Sequence, residues 1–255
     1  MIVRVHEEEF IMIEQHIHGQ LAKELMSHWD VDMFPKDKWR DSILTAISNH
    51  DIGWSPFDRQ PFWNDTKSAP YSFTNFPLLP KIVLYRQGID SVEKIDNYAA
   101  MLCSLHYEQF IQNSEGIEAK QFIEQEHKRR ERLAAQVIGF DPELFEKHYA
   151  LLQLGDNFSL YCCVNDPGVK KEDEHPFFQN GIPSPKVFRK LPTERIAIHF
   201  TDNKTITVQD FPFTKAFTVQ VNQRTVCKKT IAAIGLQSAY DKADDERITL
   251  HFAKE

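Results

Sequence analysis

Glycine is scarce, with nine in 255 residues, and none forms a Walker-type loop, so a phosphate-cradling backbone is not expected. A GxSxG elbow and an HExxH pair are also missing. The four cysteines, Cys103, Cys162, Cys163 and Cys227, form no CxxC pair and no zinc-finger spacing. Cys162 and Cys163 sit in an apolar run and read as buried reduced thiols, so a cytoplasmic location is expected. No stretch reaches the roughly 18 apolar residues that a membrane helix needs. The opening MIVRVHEEEF has no apolar region of signal-peptide type, so neither membrane nor secretion is expected. Positive charge is short as well: 30 Lys+Arg stand against 37 Asp+Glu, for a formal net charge of -7. Without a dense basic stretch outside one helical segment, a nucleic-acid partner is disfavoured and a small molecule preferred.

What is present divides near residue 165. Residues 2–13 alternate and read as a two-stranded hairpin turning near 7–9. Helical spacing follows from about 15 to 29 and from about 36 to 50. Residues 51–80 are dense in proline and aromatics and keep no period. They read either as a surface strap sealing the core or as a functional loop. In the second case Asp58, Arg59 and Lys67 would meet an anionic substrate, with Trp54, Phe57 and Trp63 closing over it. Four more helices are expected near 75–87, 91–112, 115–138 and 142–164, the third capped by Ser114 and the last by Asp141 with Pro142 in its first turn. After a Pro/Gly-rich segment beginning at about 166, IAIHF, TITVQDFPF, FTVQVNQRTVCK and ITLHFAK read as strands. A lone hairpin is marginal in water, so the N-terminal one is expected to join these strands in an antiparallel sheet.

The chemistry concentrates on inward helix faces. His50 and Asp51 are adjacent at the inner end of the second long helix, in register with Ile43 and Ile47. His18 shares a face with Leu21, Ala22 and Leu25, and Asp156 shares one with Leu152, Leu160 and Cys163. An ionised carboxylate among apolar neighbours needs a cation. Imidazoles and carboxylates together suit a divalent metal. His16 competes with His18 but points elsewhere on the helix, which favours His18. His106 lies near an apolar edge; His127, Glu124 and Glu126 lie in the charged run EQEHKRRER and read first as a solvated face. His6, His28, His148, His175, His199 and His251 carry no pattern.

A His, a His-Asp doublet and a late Asp on successive helices resemble the HD superfamily of metal-dependent phosphohydrolases. The segments QHIHGQLAKEL, ISNHDIGW, SLHYEQF and LQLGDNFSL look like an uncharacterised bacterial branch of it, over about residues 1–165. The resemblance implies a mainly α, HD-type bundle at 1–165, with a β-rich region at 166–255 packed on it. It makes His18, His50, Asp51 and Asp156 the core metal ligands. His106, with His127 as its partner, would serve a second ion, and Asp51 and His106 would be the catalytic pair. One or two divalent ions (Mn, Fe, Ni, Co, Mg or Zn) would activate water against a small phosphorylated molecule or nucleotide. A di-iron oxygenase-like protein and a non-catalytic, metal-stabilised binding module are the alternatives. Substrate and oligomeric state stay open, a homodimer being one option.

Overall fold

The computed structural model describes residues 1–30, 34, 38–188, 191–192 and 194–255. A hairpin, β1 (Ile2–Val5) and β2 (Glu9–Ile13), leads into α1 (Gln15–Ser27) and α2 (Arg40–Asn49). The expected start of the second helix at 36–37 lies outside the described residues. A single 3-10 turn (Ile52–Trp54) and α3 (Ser55–Arg59) follow, then a two-residue ladder of β3 (Trp63–Asn64) and β4 (Ala69–Pro70). Next come α4 (Leu78–Glu93), α5 (Asn97–Gln109), α6 (Ile117–Gln136) and α7 (Pro142–Val164). The rest of the chain forms β5 (Ile182–Pro183), β6 (Arg195–Ile196), β7 (Ile198–Phe200), β8 (Thr205–Val208), β9 (Phe217–Cys227), α8 (Lys228–Ile234), α9 (Leu236–Lys242) and β10 (Asp245–Lys254).

A mainly α bundle with a small antiparallel sheet is therefore not what forms. The chain is about 49% helix and 19% strand, and its main sheet is curled, mixed and six-stranded. The order is β1-β2-β9-β10-β8-β7. β2 joins β9 antiparallel, with Phe10 opposite Val226, so the N-terminal hairpin forms one side of the sheet. β10 runs antiparallel to β9 but parallel to β8, with Phe252 beside Ile206. Alternation was visible in these strands. It reports which face is buried, not which neighbour a strand takes or in which direction, so the parallel pair was out of reach. β9 is buried at every other position from Phe217 to Val221, and α1 packs against it.

The helices follow local chemistry closely. Asp141 caps α7, accepting from the Glu143 and Leu144 amides at 2.9 and 3.3 Å. Asp96 caps α5 by accepting from Ala99 N–H at 2.8 Å. α6 is preceded by Gly116 at φ +130° with no side-chain cap, so Ser114 does not have the role expected of it. α8 and α9, in KKTIAAIGLQSAYDK, were not anticipated between the two long strands. The far end of α7 is tied to the sheet by buried Arg4, whose guanidinium donates to Cys163 O at 3.0 Å, Asn165 O at 3.1 Å and Gln223 Oε1 at 2.7 Å.

The larger core joins α1, α2, α5 and α7 to the inner face of the sheet, from Leu21 and Ile47 to Val219 and Phe252. A second core gathers Met1, Phe10, Trp54, Phe57, Phe76, Tyr85, Tyr107 and Tyr240. Most aromatics of residues 51–80 thus seal a core. Asp58 is wholly buried, paired with the Met1 ammonium, and accepts from Gln15 N–H at 2.8 Å, so it anchors the start of α1 rather than facing a substrate. Helix α4 continues through Gly88, where a break was expected, because the missing side chain lets it cross the turn at Gly53. A Cβ on Gly88 would lie 2.8 Å from Gly53 N and 2.9 Å from Gly53 Cα. Backbone cannot yield there as a side chain can. Gly88→Ala is expected to destabilise the protein by about 1–3 kcal/mol, as overpacking does. Urea unfolding followed by circular dichroism measures this; an unchanged midpoint would refute the close crossing.

Candidate metal centre

Four helices deliver the five side chains singled out as ligands. His18 sits one turn into α1 on the buried face that carries Leu21, Ala22 and Leu25. Gly19 beside it lets α1 press on the end of α2, since a Cβ there would lie 2.9 Å from Ser48 O. α2 ends at the doublet. His50 keeps helical torsions (φ -57°, ψ -25°), whereas Asp51 leaves them (φ -116°, ψ 17°). Neighbours on a continuing helix diverge by about 100°; the break at Asp51 lets both side chains turn into the same interior. His106 comes from α5 and Asp156 from the middle of α7.

The five converge. Asp156 Oδ1 lies 3.1 Å from His18 Nε2 and 3.3 Å from His50 Nε2. Asp51 Oδ2 lies 3.6 Å from His18 Nδ1 and 3.7 Å from His50 Nε2. The His50 ring meets those of His18 and His106 edge-on, each at 4.9 Å between centroids. Two trios, His18–His50–Asp51 and His50–His106–Asp156, each offer ligand atoms close enough to share one ion, and His50 belongs to both. His50 Nδ1 donates to Ile47 O at 2.7 Å, while its buried Nε2 faces Asp156 Oδ1 at 3.3 Å without an aligned hydrogen bond. That places the ring's free position at the centre of the cluster. His16 is half-buried and belongs to neither trio. His127 is 56% exposed and paired with Glu108 at 3.0 Å, so it does not accompany His106. Glu126 is buried against Arg129 at 3.1 Å, and Glu124 is exposed beside Lys128.

The electrostatics follow from burial and mutual pairing. Burial works to lower the pKa of His50, but the carboxylates of Asp51 and Asp156 outweigh it and hold the group up at about 9. Burial also works to raise Asp156, yet the imidazoles of His18 and His50 beside its carboxylate keep it well below the usual carboxylate range. Asp51 is pushed up by burial despite His50 and His18. His106, buried and flanked by the other two imidazoles, is pushed down to about 3 and stays neutral.

A cleft of about 750 Å³ opens over this cluster, with His18, Asp51 and Asp156 on its floor. Its walls carry groups that sequence reading did not single out as functional: Lys81, the carboxamides of Gln15, Gln153 and Asn157, and the half-exposed rings of Phe110 and Phe177. Their one local signal was Lys81, a lone charge in the apolar run LLPKIVLY. Trp54 lines the cleft from the second core. Lys67 instead lines a separate cleft beside β1, Arg59 is exposed, and Trp63 packs edge-on against Phe10.

Comparison with known proteins gives a family match over residues 1–228, to the family described as "Protein of unknown function (DUF3891)". No curated protein and no solved structure matches. The resemblance to HD phosphohydrolases is corrected by this result, since the match carries no sign of that superfamily. The physical reason is that histidines and aspartates can be buried on helix faces in unrelated folds, so their order along the chain does not identify a superfamily.

The shifts make stability depend on pH in the metal-free protein. His50 is raised in the folded state above about 6.5, so its stabilisation is complete below that pH and lost as pH rises through about 9. Asp156 is lowered, so its stabilisation is present above the usual carboxylate range and lost on strong acidification. Calorimetry in chelator is expected to show the Tm falling between pH 6.5 and 9.5, and His50→Gln is expected to flatten that fall. An equal slope in both proteins would contradict the coupling.

Proposed function

The chain belongs to the DUF3891 family, and we propose for it the function of a metal-dependent hydrolase of small phosphate esters or anhydrides. The observation that carries this reading is the convergence of three imidazoles and two carboxylates beneath an open cleft, with the buried Nε2 of His50 among them and lacking an aligned hydrogen bond. A buried polar atom without a partner is costly, and a divalent ion relieves that cost. The donor set suits a transition metal, and the Nδ1–H of His50 held by a backbone carbonyl is the usual orientation of a ligand imidazole. A purely structural site is closed by its ligands, whereas Asp51 and Asp156 border a cleft with room for a substrate.

A bound divalent ion would supply Lewis acidity and acidify water near neutral pH. The chain's own groups divide the remaining work. His18 and His50 hold the Asp156 carboxylate in place. His106 is kept neutral by burial and is suited to holding the ion, not to proton transfer. Asp51, pushed up by burial and bordering the cleft, is the group suited to exchange a proton with a reactant there. The oxygenase reading was raised by His106 and His127 acting together; His127 is exposed and paired with Glu108, so this pair no longer favours it. Among the described residues no helix is long and apolar enough to cross a membrane. All four cysteines are free, which supports a reducing cytoplasm.

Elemental analysis of protein purified without chelator is expected to find bound divalent transition metal, and Asp156→Ala is expected to abolish it. Unchanged metal stoichiometry in that variant would end the reading. At neutral pH the metal must displace a proton from His50. Calorimetric titration with Mn²⁺ in buffers of different ionisation enthalpy is therefore expected to register proton release of up to one per site. Metal-loaded protein is expected to turn over p-nitrophenyl phosphate or its diester, and Asp51→Ala to remove that activity.

A further inference from the structure

The cleft above the cluster holds a cation with no counter-charge. Lys81 lies on the first turns of α4, half-buried, and opens onto the same cleft as His18, Asp51 and Asp156. It forms no ion pair with any carboxylate of the described residues, and burial lowers its pKa. Arg4, Arg129 and Arg130, by contrast, are tied to acceptors. An ammonium partly drawn out of water that lines a cleft without an ion pair is placed for an anion that arrives from outside.

Resting on the metal-centre reading, we infer that Lys81 is the anion-recognition residue of this cleft and that the substrate presents one phosphoryl group on an otherwise uncharged body. Charge counting supports the first part. One divalent ion cancels the charges of Asp51 and Asp156 when the histidines are neutral, which leaves Lys81 as the inward positive charge. The other cation lining the cleft, Arg195, is exposed and donates to Gly181 O at 2.8 Å. The walls support the second part. Gln15, Gln153 and Asn157 are uncharged hydrogen-bonding groups, and Phe110 and Phe177, each 49% exposed, are rings from two distant segments of the chain lining one cleft. Carboxamides and open aromatic faces receive a planar or polar neutral body, whereas a polyphosphate would need further cations.

The test is calorimetric titration of inorganic phosphate and of phenylphosphonate, whose C–P bond resists hydrolysis, into the intact protein with and without Mn²⁺. One phosphate per chain is expected. Lys81→Gln is expected to weaken phosphate at least tenfold with Mn²⁺ binding unchanged, and Lys81→Arg to restore most of it. Phenylphosphonate is expected to bind more tightly than phosphate. Equal phosphate affinity in wild type and Lys81→Gln, or no phosphate binding by the Mn²⁺-loaded protein, overturns the assignment of Lys81. Phenylphosphonate binding no tighter than phosphate overturns the neutral-body part. Failure of the underlying reading looks different: Mn²⁺ does not bind, while any Lys81-dependent phosphate binding persists without it.

Discussion

Two carboxylates withdrawn from water set the terms for the helical half of this protein. An ionised carboxylate in a low-dielectric interior costs several kcal/mol unless opposite charge and hydrogen bonds compensate. Asp156 obtains that compensation from His18 and His50 together, and Asp51 lies against the same two rings. These partners come from α1, the end of α2 and α7, so the three helices have to meet at one depth. The breaking of α2 at Asp51 and the close approach at Gly19 follow from that requirement. His106 closes the group from α5 with a ring that burial keeps neutral.

The sheet acts on this cluster through the ends of the helices. Arg4, the third residue of the edge strand β1, takes the carbonyls of Cys163 and Asn165 at the end of α7 and so holds the helix that carries Asp156. The Met1 ammonium and the Gln15 amide share Asp58, which fixes the start of the helix that carries His18. The aromatic segment between α2 and α4 builds the second core, yet Trp54 and Phe73 also border the cleft. One segment therefore serves both packing and the wall of the site, and the choice between strap and functional loop was a false one.

The correction of the superfamily resemblance does not touch the geometry, because the two rest on different grounds. Motif order is a statement about sequence, and short patterns of His and Asp recur wherever helices bury polar groups. Convergence of five side chains around a buried ring nitrogen that lacks an aligned hydrogen bond is a statement about space. A function read from the second does not inherit the failure of the first, and it has to be judged by metal content and reactivity.

Much was legible locally. Helical spacing marked the faces of His18, His50 and Asp156, and the cost of burying their charges joined them on local grounds alone. Asp141 with Pro142 announced α7 by cap chemistry that involves neighbours only. What was not legible depends on partners distant in the chain. Gly88 reads as a break until Gly53, 35 positions away, is seen to occupy the space its side chain would fill. Strand direction in the mixed sheet, the burial of Asp58 and the exposure of His127 have the same origin. Lys81 is the plainest case. A lysine in an apolar helix looks like a solvated edge, and only the fold sets it over the cluster, unpaired, because the chain segments that bound the cleft meet nowhere in the sequence.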